Sequence, residues 1–270
     1  MKSKLSFKEY VYVASMLFGM FFGAGNLIFP VFMGQHAGSN VWSATIGFLI
    51  TGVGIPLLAV AALGMSRSNG LFEMSSKVGK PYAMFFTCLL YLTIGPFFAI
   101  PRCATTSFTV GIEYLLPEKS NTGLYLLLFS LAFFAAALFF ALRPGKILTW
   151  IGKILNPFFL VFLGILVIVA LISPSASIGS VEPVGDYASK PLFTGFLEGY
   201  NTMDALAGLA FGIVVVQVIR DLGIEEPGSV AASTVRSGIF SCLFMGIIYL
   251  AVTIVGTQSR GLFEPAENGG

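Results

Sequence analysis

Long apolar stretches alternate with short polar segments along this chain. Seven are long enough to matter, at roughly 8–33, 41–65, 82–110, 122–142, 151–172, 192–219 and 237–258. Crossing bilayer hydrocarbon as a helix takes about 20 predominantly apolar residues. The two-residue alternation of a barrel strand is absent. Hydrocarbon offers no partner to a free amide or carbonyl, so the stretches are expected to be helices. The pattern predicts an all-α transmembrane fold, a single membrane domain over 1–270 with no boundary between soluble domains.

Composition strengthens this reading. Hydrophobic residues make up 56% of the chain and charged residues 10%, against about a quarter charged in an ordinary soluble domain. One soluble core of this size could not cover so much apolar surface, so the lipid bilayer is the expected solvent. The net charge is only +2, and Lys and Arg form no long run, which excludes a nucleic-acid footprint. Cys88, Cys103 and Cys242 fall inside apolar stretches without metal-ligand spacing and read as packed thiols. Lys2, Lys4 and Lys8 ahead of an apolar run imitate a signal peptide. The run continues through Leu27-Ile28-Phe29-Pro30, so it is expected to be a retained first helix.

Charge then sets orientation. Lys2, Lys4, Lys8, Arg67, Lys77, Lys80, Arg143, Lys146, Lys153, Arg220 and Arg236 fall on one side of seven alternating crossings; Arg102, Lys119, Lys190 and Arg260 fall on the other. The richer side is cytoplasmic, which puts the N-terminus inside. A seven-helix receptor would need the opposite orientation. A retinal protein would need a Lys in its last span, and 237–258 has none. The lone His36 is expected in an external loop, and no Ser/His pair, paired Asp motif or metal-ligand cluster lies in the spans. Neither an enzyme nor a cofactor is expected.

Two stretches are interrupted. The first contains Gly23-Ala24-Gly25-Asn26 followed by Pro30, and its two glycines, its Asn and its Pro are poor in the helix interior. A break at 23–26 would place Pro30 in the first turn of a second half-helix. The amides of Gly25, Asn26 and Leu27 would then be free for a carboxylate, and the carbonyls of Phe22, Gly23 and Ala24 for a cation or ammonium group. The sixth stretch reads Gly199-Tyr200-Asn201-Thr202-Met203-Asp204 between apolar flanks. Mid-span Asp204 costs about 2.5–3.5 kcal/mol on insertion scales, so it should meet a cation, a proton, a partner or free amides. It could also cap a half-helix. Glu198 lies nearer the external end. Five crossings separate the breaks, so the two spans run in opposite directions, the pointer to an inverted-repeat transporter with a midplane site. The third stretch is kinked by Gly95-Pro96 and Pro101. Arg102, next in sequence, could gate an access path or snorkel to the headgroups.

Four segments in order carry a resemblance: Phe21–Pro30, Ile94–Arg102, Arg143–Lys146 and Gly199–Asp204. Together the chain resembles the branched-chain amino acid carrier (BrnQ-type) family of cation symporters, within the amino acid–polyamine–organocation superfamily. The resemblance implies a five-plus-five inverted-repeat, leucine-transporter-like fold with broken helices 1 and 6. Its first repeat would be 1–172, and 192–270 would be part of a second. It implies import of leucine, isoleucine and valine across the bacterial inner membrane, coupled to Na⁺ or H⁺, and carries no signal of oligomeric state. Gly23, Ala24, Gly25, Asn26, Tyr200, Thr202 and Asp204 would bind substrate. Ala24, Asn26, Thr202 and Asp204 would bind the coupling cation, with Na⁺ possible at Ala24, Asn26 and Thr202. Arg102 is the gating candidate. Two departures stand out. Thr109 occupies the place where family members often carry an acid. The family has about twelve spans, so the chain is expected to be a fragment, with a non-transporting piece or assembly subunit as the alternative.

Overall fold

The computed structural model of the chain describes residues 4–117, 120–142 and 156–265. Lys2, Lys119, Arg143, Lys146 and Lys153, with the Arg143–Lys146 segment, the start of the fifth stretch and the last residues from 266, lie outside the described residues. Every regular element among the described residues is helical.

The first stretch is divided into α1 (Phe7–Phe21) and α2 (Gly25–Ala37). The second holds α3 (Val41–Leu49) and α4 (Ile55–Ser66), joined by a wide helical turn at Ile50–Gly54. A short α5 (Leu71–Ser76) follows. The third is split into α6 (Lys80–Leu92) and α7 (Ala99–Gly111) at Thr93–Phe97, where Gly95 leaves helical geometry at ψ −117° beside Pro96. Then come α8 (Thr122–Ala141), α9 (Asn156–Ile172), the single turn α10 (Asp186–Ser189), α11 (Pro191–Asn201), α12 (Asp204–Asp221) and α13 (Pro227–Ser259).

Among the described residues, five helical runs are long and apolar enough to cross a membrane: Gly25–Ser66, Lys80–Leu115, Thr122–Ala141, Pro191–Asp221 and Pro227–Ser259. Seven crossings are expected from the sequence, and the difference has local causes. The first is cut after Phe21, which leaves α1 at 15 residues. The fifth contributes only Pro157–Ile172 among the described residues. The Gly25–Ser66 run also turns at Gly38, φ 50°, so it joins the second half of one expected crossing to all of the next. His36 lies inside α2, not in a loop, with its Nδ1 2.9 Å from the Phe32 carbonyl oxygen.

The helix starts follow from capping. Ser6 and Glu9 form a reciprocal box at α1: the Ser6 amide donates to Glu9 Oε2 at 2.7 Å and the Glu9 amide to Ser6 Oγ at 3.4 Å. Glu226 caps α13, accepting the amides of Gly228 and Ser229 at 2.8 and 2.5 Å ahead of Pro227. Those amides, Gly228 first, hold the Glu226 carboxyl below the usual carboxylate range.

Lipid cannot drive helices together as water does, so close backbone approach must do it. A Cβ on Gly34 of α2 would strike the Thr253 carbonyl of α13, and one on Gly256 of α13 would strike the Val31 carbonyl of α2. The α3–α11 crossing is built the same way: Gly47 faces the Leu192 carbonyl and Gly195 the Ala44 carbonyl. Around these crossings α1 and α2 both pack on α13, while α11 packs on α3 and α12 on α4. The core fills with Leu17, Phe18, Phe48, Val215, Met245 and Tyr249. By contrast α8 buries none of its residues.

Gly195→Val should force α3 and α11 apart at a cost of about 1–3 kcal/mol, seen as a lower melting temperature in detergent. Gly164→Ala, with nothing within 4 Å, should not lower it. The Glu226 carboxyl is depressed, so its contribution is present at neutral pH and lost as pH falls through its folded value. Hydrogen exchange at the Gly228 and Ser229 amides should accelerate over that acid range.

Candidate functional site

The first break lies at Phe22–Ala24, slightly earlier than the glycines and Asn26 predict. Phe22 is extended at ψ 108°, and its amide closes α1 on the Phe18 carbonyl at 2.7 Å. The Asn26 and Leu27 amides already bond back to the Gly23 and Ala24 carbonyls, each at 3.1 Å, so the next half-helix begins at Gly25. Two of the amides and two of the carbonyls expected to be free are therefore used inside the turn. The Asn26 side chain completes it, with Oδ1 accepting the Gly23 amide at 2.9 Å. Pro30 is the sixth residue of α2, not in its first turn, and has no N–H to offer the Asn26 carbonyl.

The second break is only Thr202–Met203. Thr202 Oγ1 donates to the Gly199 carbonyl at 2.8 Å, and Met203 takes the left-handed conformation at φ 64°. For a non-glycine residue this costs about 1–3 kcal/mol, so the surrounding packing must hold it. Asp204 is the first residue of α12 and does not cap it: Met203 occupies the cap position and no side chain caps the helix. The carboxylate is thus left to reach across to other helices.

What it reaches joins the two breaks. Asn26 Nδ2 donates to Asp204 Oδ2 at 2.7 Å, the Tyr249 hydroxyl donates to the same oxygen at 2.7 Å, and Asn26 Nδ2 also bonds the Tyr249 oxygen. Asp204 and Asn26 are each 2% exposed and Tyr249 is fully buried. An isolated buried carboxylate would be costly, and these donors are its compensation. Tyr249 is braced by Phe48, edge-on at 5.2 Å between ring centroids, and by Phe22, stacked at 6.5 Å. The sequence reading does not single out Tyr249. Its one available signal is a phenol in the middle of an apolar stretch, which needs a polar partner when buried.

A cavity of about 250 Å³ opens beside the triad. Gly23, Ala24, Gly25, Asn26, Thr202, Asp204 and Arg102 line it with apolar side chains including Met20, Phe21, Ile94, Ile100 and Phe211. Tyr200 is not among them and is 54% exposed. Its neighbour Gly199 faces α3 so closely that a Cβ would meet the Phe48 carbonyl, and one residue further round the helix Tyr200 points outward. Arg102 lies at the edge of this cavity. Its Nη1 donates to the Asn201 carbonyl at 3.0 Å, and its guanidinium lies over the rings of Phe29 and Phe98, 5.3 and 5.2 Å from the centroids. A cation at the last carbonyls of α11 is favourably placed.

The arrangement has one buried anion, one cation at the cavity edge and apolar walls between them. Asn26 turns its oxygen to the Gly23 amide and its NH₂ to Asp204, so the negative pole belongs to Asp204.

Comparison with known proteins narrows the meaning of this geometry. Residues 6–270 match the sequence profile described as branched-chain amino acid transport protein. The chain belongs to that family. The family is one of transporters, not enzymes. The chain is 56% identical over its whole length to a branched-chain amino acid permease, BrnQ, of Lactobacillus delbrueckii subsp. lactis, covering 60% of that protein. It is 40% identical over its whole length to BrnQ of Bacillus subtilis, again covering 60%. A branched-chain amino acid transport system 2 carrier protein of Pseudomonas aeruginosa is 41% identical over 94% of the chain, which covers 57% of that carrier. The chain thus spans about 60% of the length of these relatives. No solved structure matches it. With five long apolar helices among the described residues and such relatives, this family member is a multi-pass membrane protein.

Tyr249→Phe removes one donor to a buried carboxylate and should cost about 1–3 kcal/mol, read as a lower melting temperature in detergent. Asn26→Leu should cost at least as much, because it also opens the turn at Gly23.

Proposed function

We propose that the chain carries leucine, isoleucine and valine across a bacterial inner membrane by symport with Na⁺ or H⁺, and that its substrate site is the cavity between the two helix breaks. The observation that carries this reading is the meeting of both breaks at one buried carboxylate. In this reading the substrate carboxylate sits toward Gly25, where α2 presents the positive end of its dipole, and toward Arg102. The ammonium group faces the last carbonyls of α1 and Asp204. The branched side chain packs on the apolar wall. One methylene is worth only about 1–3 kcal/mol, so the three substrates would be separated weakly. The coupling cation, as co-substrate, would be held by Asp204 with Asn26, Thr202 and Ala24 around it.

The pairing of helices supports an inverted repeat. Exchanging span one with six and span two with seven turns the packing of α1 and α2 on α13 into that of α11 and α12 on α3 and α4. Both sets of contacts exist. Alternating access then follows from rocking the broken helices against the rest, with the N-terminus cytoplasmic and the basic loops inside. Substrate and ion must favour the same state for coupling. The relatives' names favour a carrier over a non-transporting assembly subunit.

Uptake of labelled leucine at varied Na⁺ and pH tests the reading. In a full-length permease background, Asp204→Asn should cut uptake by at least about tenfold, equivalent to about 1.4 kcal/mol, or change its dependence on the cation. Unchanged uptake kinetics would remove Asp204 from the site.

A further inference from the structure

Besides the cavity between the breaks, and a neighbouring one of about 350 Å³ that shares Gly25 and Arg102 with it, the structure holds a cavity on another face. Its volume is about 330 Å³, and it has no lining residue in common with either. Its lining includes Val11, Ser15 and Phe18 of α1, Ser241 and Phe244 of α13, and Leu160 of α9. Phe18 and Phe244 are the lining residues furthest along their helices. Their rings meet edge-on, 5.0 Å between centroids, and close the end nearest the first break. Phe22 touches Phe18 at 4.8 Å and stacks on Tyr249, so a layer of rings separates this cavity from the buried carboxylate.

One polar group sits unused in this apolar lining. Ser241 is 1% exposed, and its hydroxyl has no hydrogen-bond partner among the described residues. Thr234, two turns earlier on α13, bonds back to the Val230 carbonyl at 2.9 Å. Ser241 makes no such bond. A buried hydroxyl left unpaired costs about 1–3 kcal/mol, so an acceptor brought by a ligand would be favoured there.

The order of residues along the cavity says what kind of ligand. Lys8, Val11, Ser15 and Phe18 follow at intervals of three and four on one stripe of α1. Arg236 stands one turn before Phe240, which also lines the cavity. Lys8 and Arg236 are both exposed. Glu9, the acid beside Lys8, is turned to the Ser6 hydroxyl at 2.8 Å. The rise from Lys8 to Phe18 is about 15 Å, which is half of the roughly 30 Å of bilayer hydrocarbon. Ser241 lies about 7.5 Å beyond Arg236. A cationic rim, then a hydroxyl, then an apolar shaft one leaflet deep match a phosphate, an ester carbonyl and an acyl chain in that order.

We propose that this cavity binds one anionic phospholipid of the leaflet in which α1 begins. Its phosphate lies at Lys8 and Arg236, an ester carbonyl accepts from Ser241, and one acyl chain runs along α1 to the Phe18–Phe244 pair. A protein segment filling the same groove would have to bring its own acid to the rim, whereas the lipid carries one. The inference does not depend on what the chain transports.

Photolabelling of the purified chain in lipid nanodiscs tests this, with phosphatidylglycerol or phosphatidylcholine carrying a diazirine on one acyl chain. The phosphatidylglycerol probe should attach chiefly to the lining residues of α1 and α13, located by peptide mass spectrometry. Excess unlabelled phosphatidylglycerol should compete better than phosphatidylcholine. Lys8→Gln combined with Arg236→Gln should lower this labelling at least about fivefold. Labelling spread evenly over exposed helices such as α8, or equal for the two headgroups, would overturn the site. So would protection of the groove in a full-length permease, which would give this face to a later segment, or loss of labelling on dimerisation, which would give it to a second copy. The headgroup comparison on wild type decides the matter even where the rim variant fails to fold.

Discussion

One carboxylate organises this molecule. Asp204 is buried where hydrocarbon would otherwise surround it, and it is tolerated because Asn26 and Tyr249 both point donors at one of its oxygens. The two donors and the acid they meet come from three helices, α2, α13 and α12. Removing the carboxylate from water therefore ties together the two interrupted spans and the long helix behind them. The breaks are what make this possible. A continuous sixth span would not begin a fresh helix at Asp204, and a continuous first span would not turn the Asn26 side chain back on Gly23.

The rest of the architecture holds these elements at the required distance. Helices in lipid gain little from hiding apolar surface from one another, so they approach through glycine until backbone meets backbone. Gly34 with Gly256 and Gly47 with Gly195 set the two closest crossings, and each brings one broken span against an unbroken one. The half-helices of the broken spans thus lean on α13 and on the α3–α4 span.

Arg102 links this frame to the outside of the site. It is anchored to the last carbonyl of α11 and flanked by two aromatic rings, and it lines the two cavities that share Gly25. Its position depends on the break at Thr93–Phe97, which re-aims α7 relative to α6. The Gly95-Pro96 pair is therefore part of the site's geometry, although neither residue lines either of these two cavities.

Much was legible in the chain itself. Apolar length and the lack of alternation specify membrane helices, because hydrocarbon leaves a backbone no other solution. The clustering of Gly, Asn and Pro, and a lone mid-span Asp, mark where the helices fail, because those residue types carry local costs. Other features had no local signal. Tyr249 became a partner of Asp204 only when α13 packed across both breaks. Tyr200 faced outward because Gly199 had to meet α3. The exact turn residues, Phe22 to Ala24 and Thr202 to Met203, were decided by which amides found carbonyls, and that depends on how neighbouring helices aim the chain. Sequence by itself determined the solvent, the elements and the weak points, which are properties of single residues and short windows. Tertiary structure alone decided which polar groups met, because the partners are brought together by packing between helices and not by position along one.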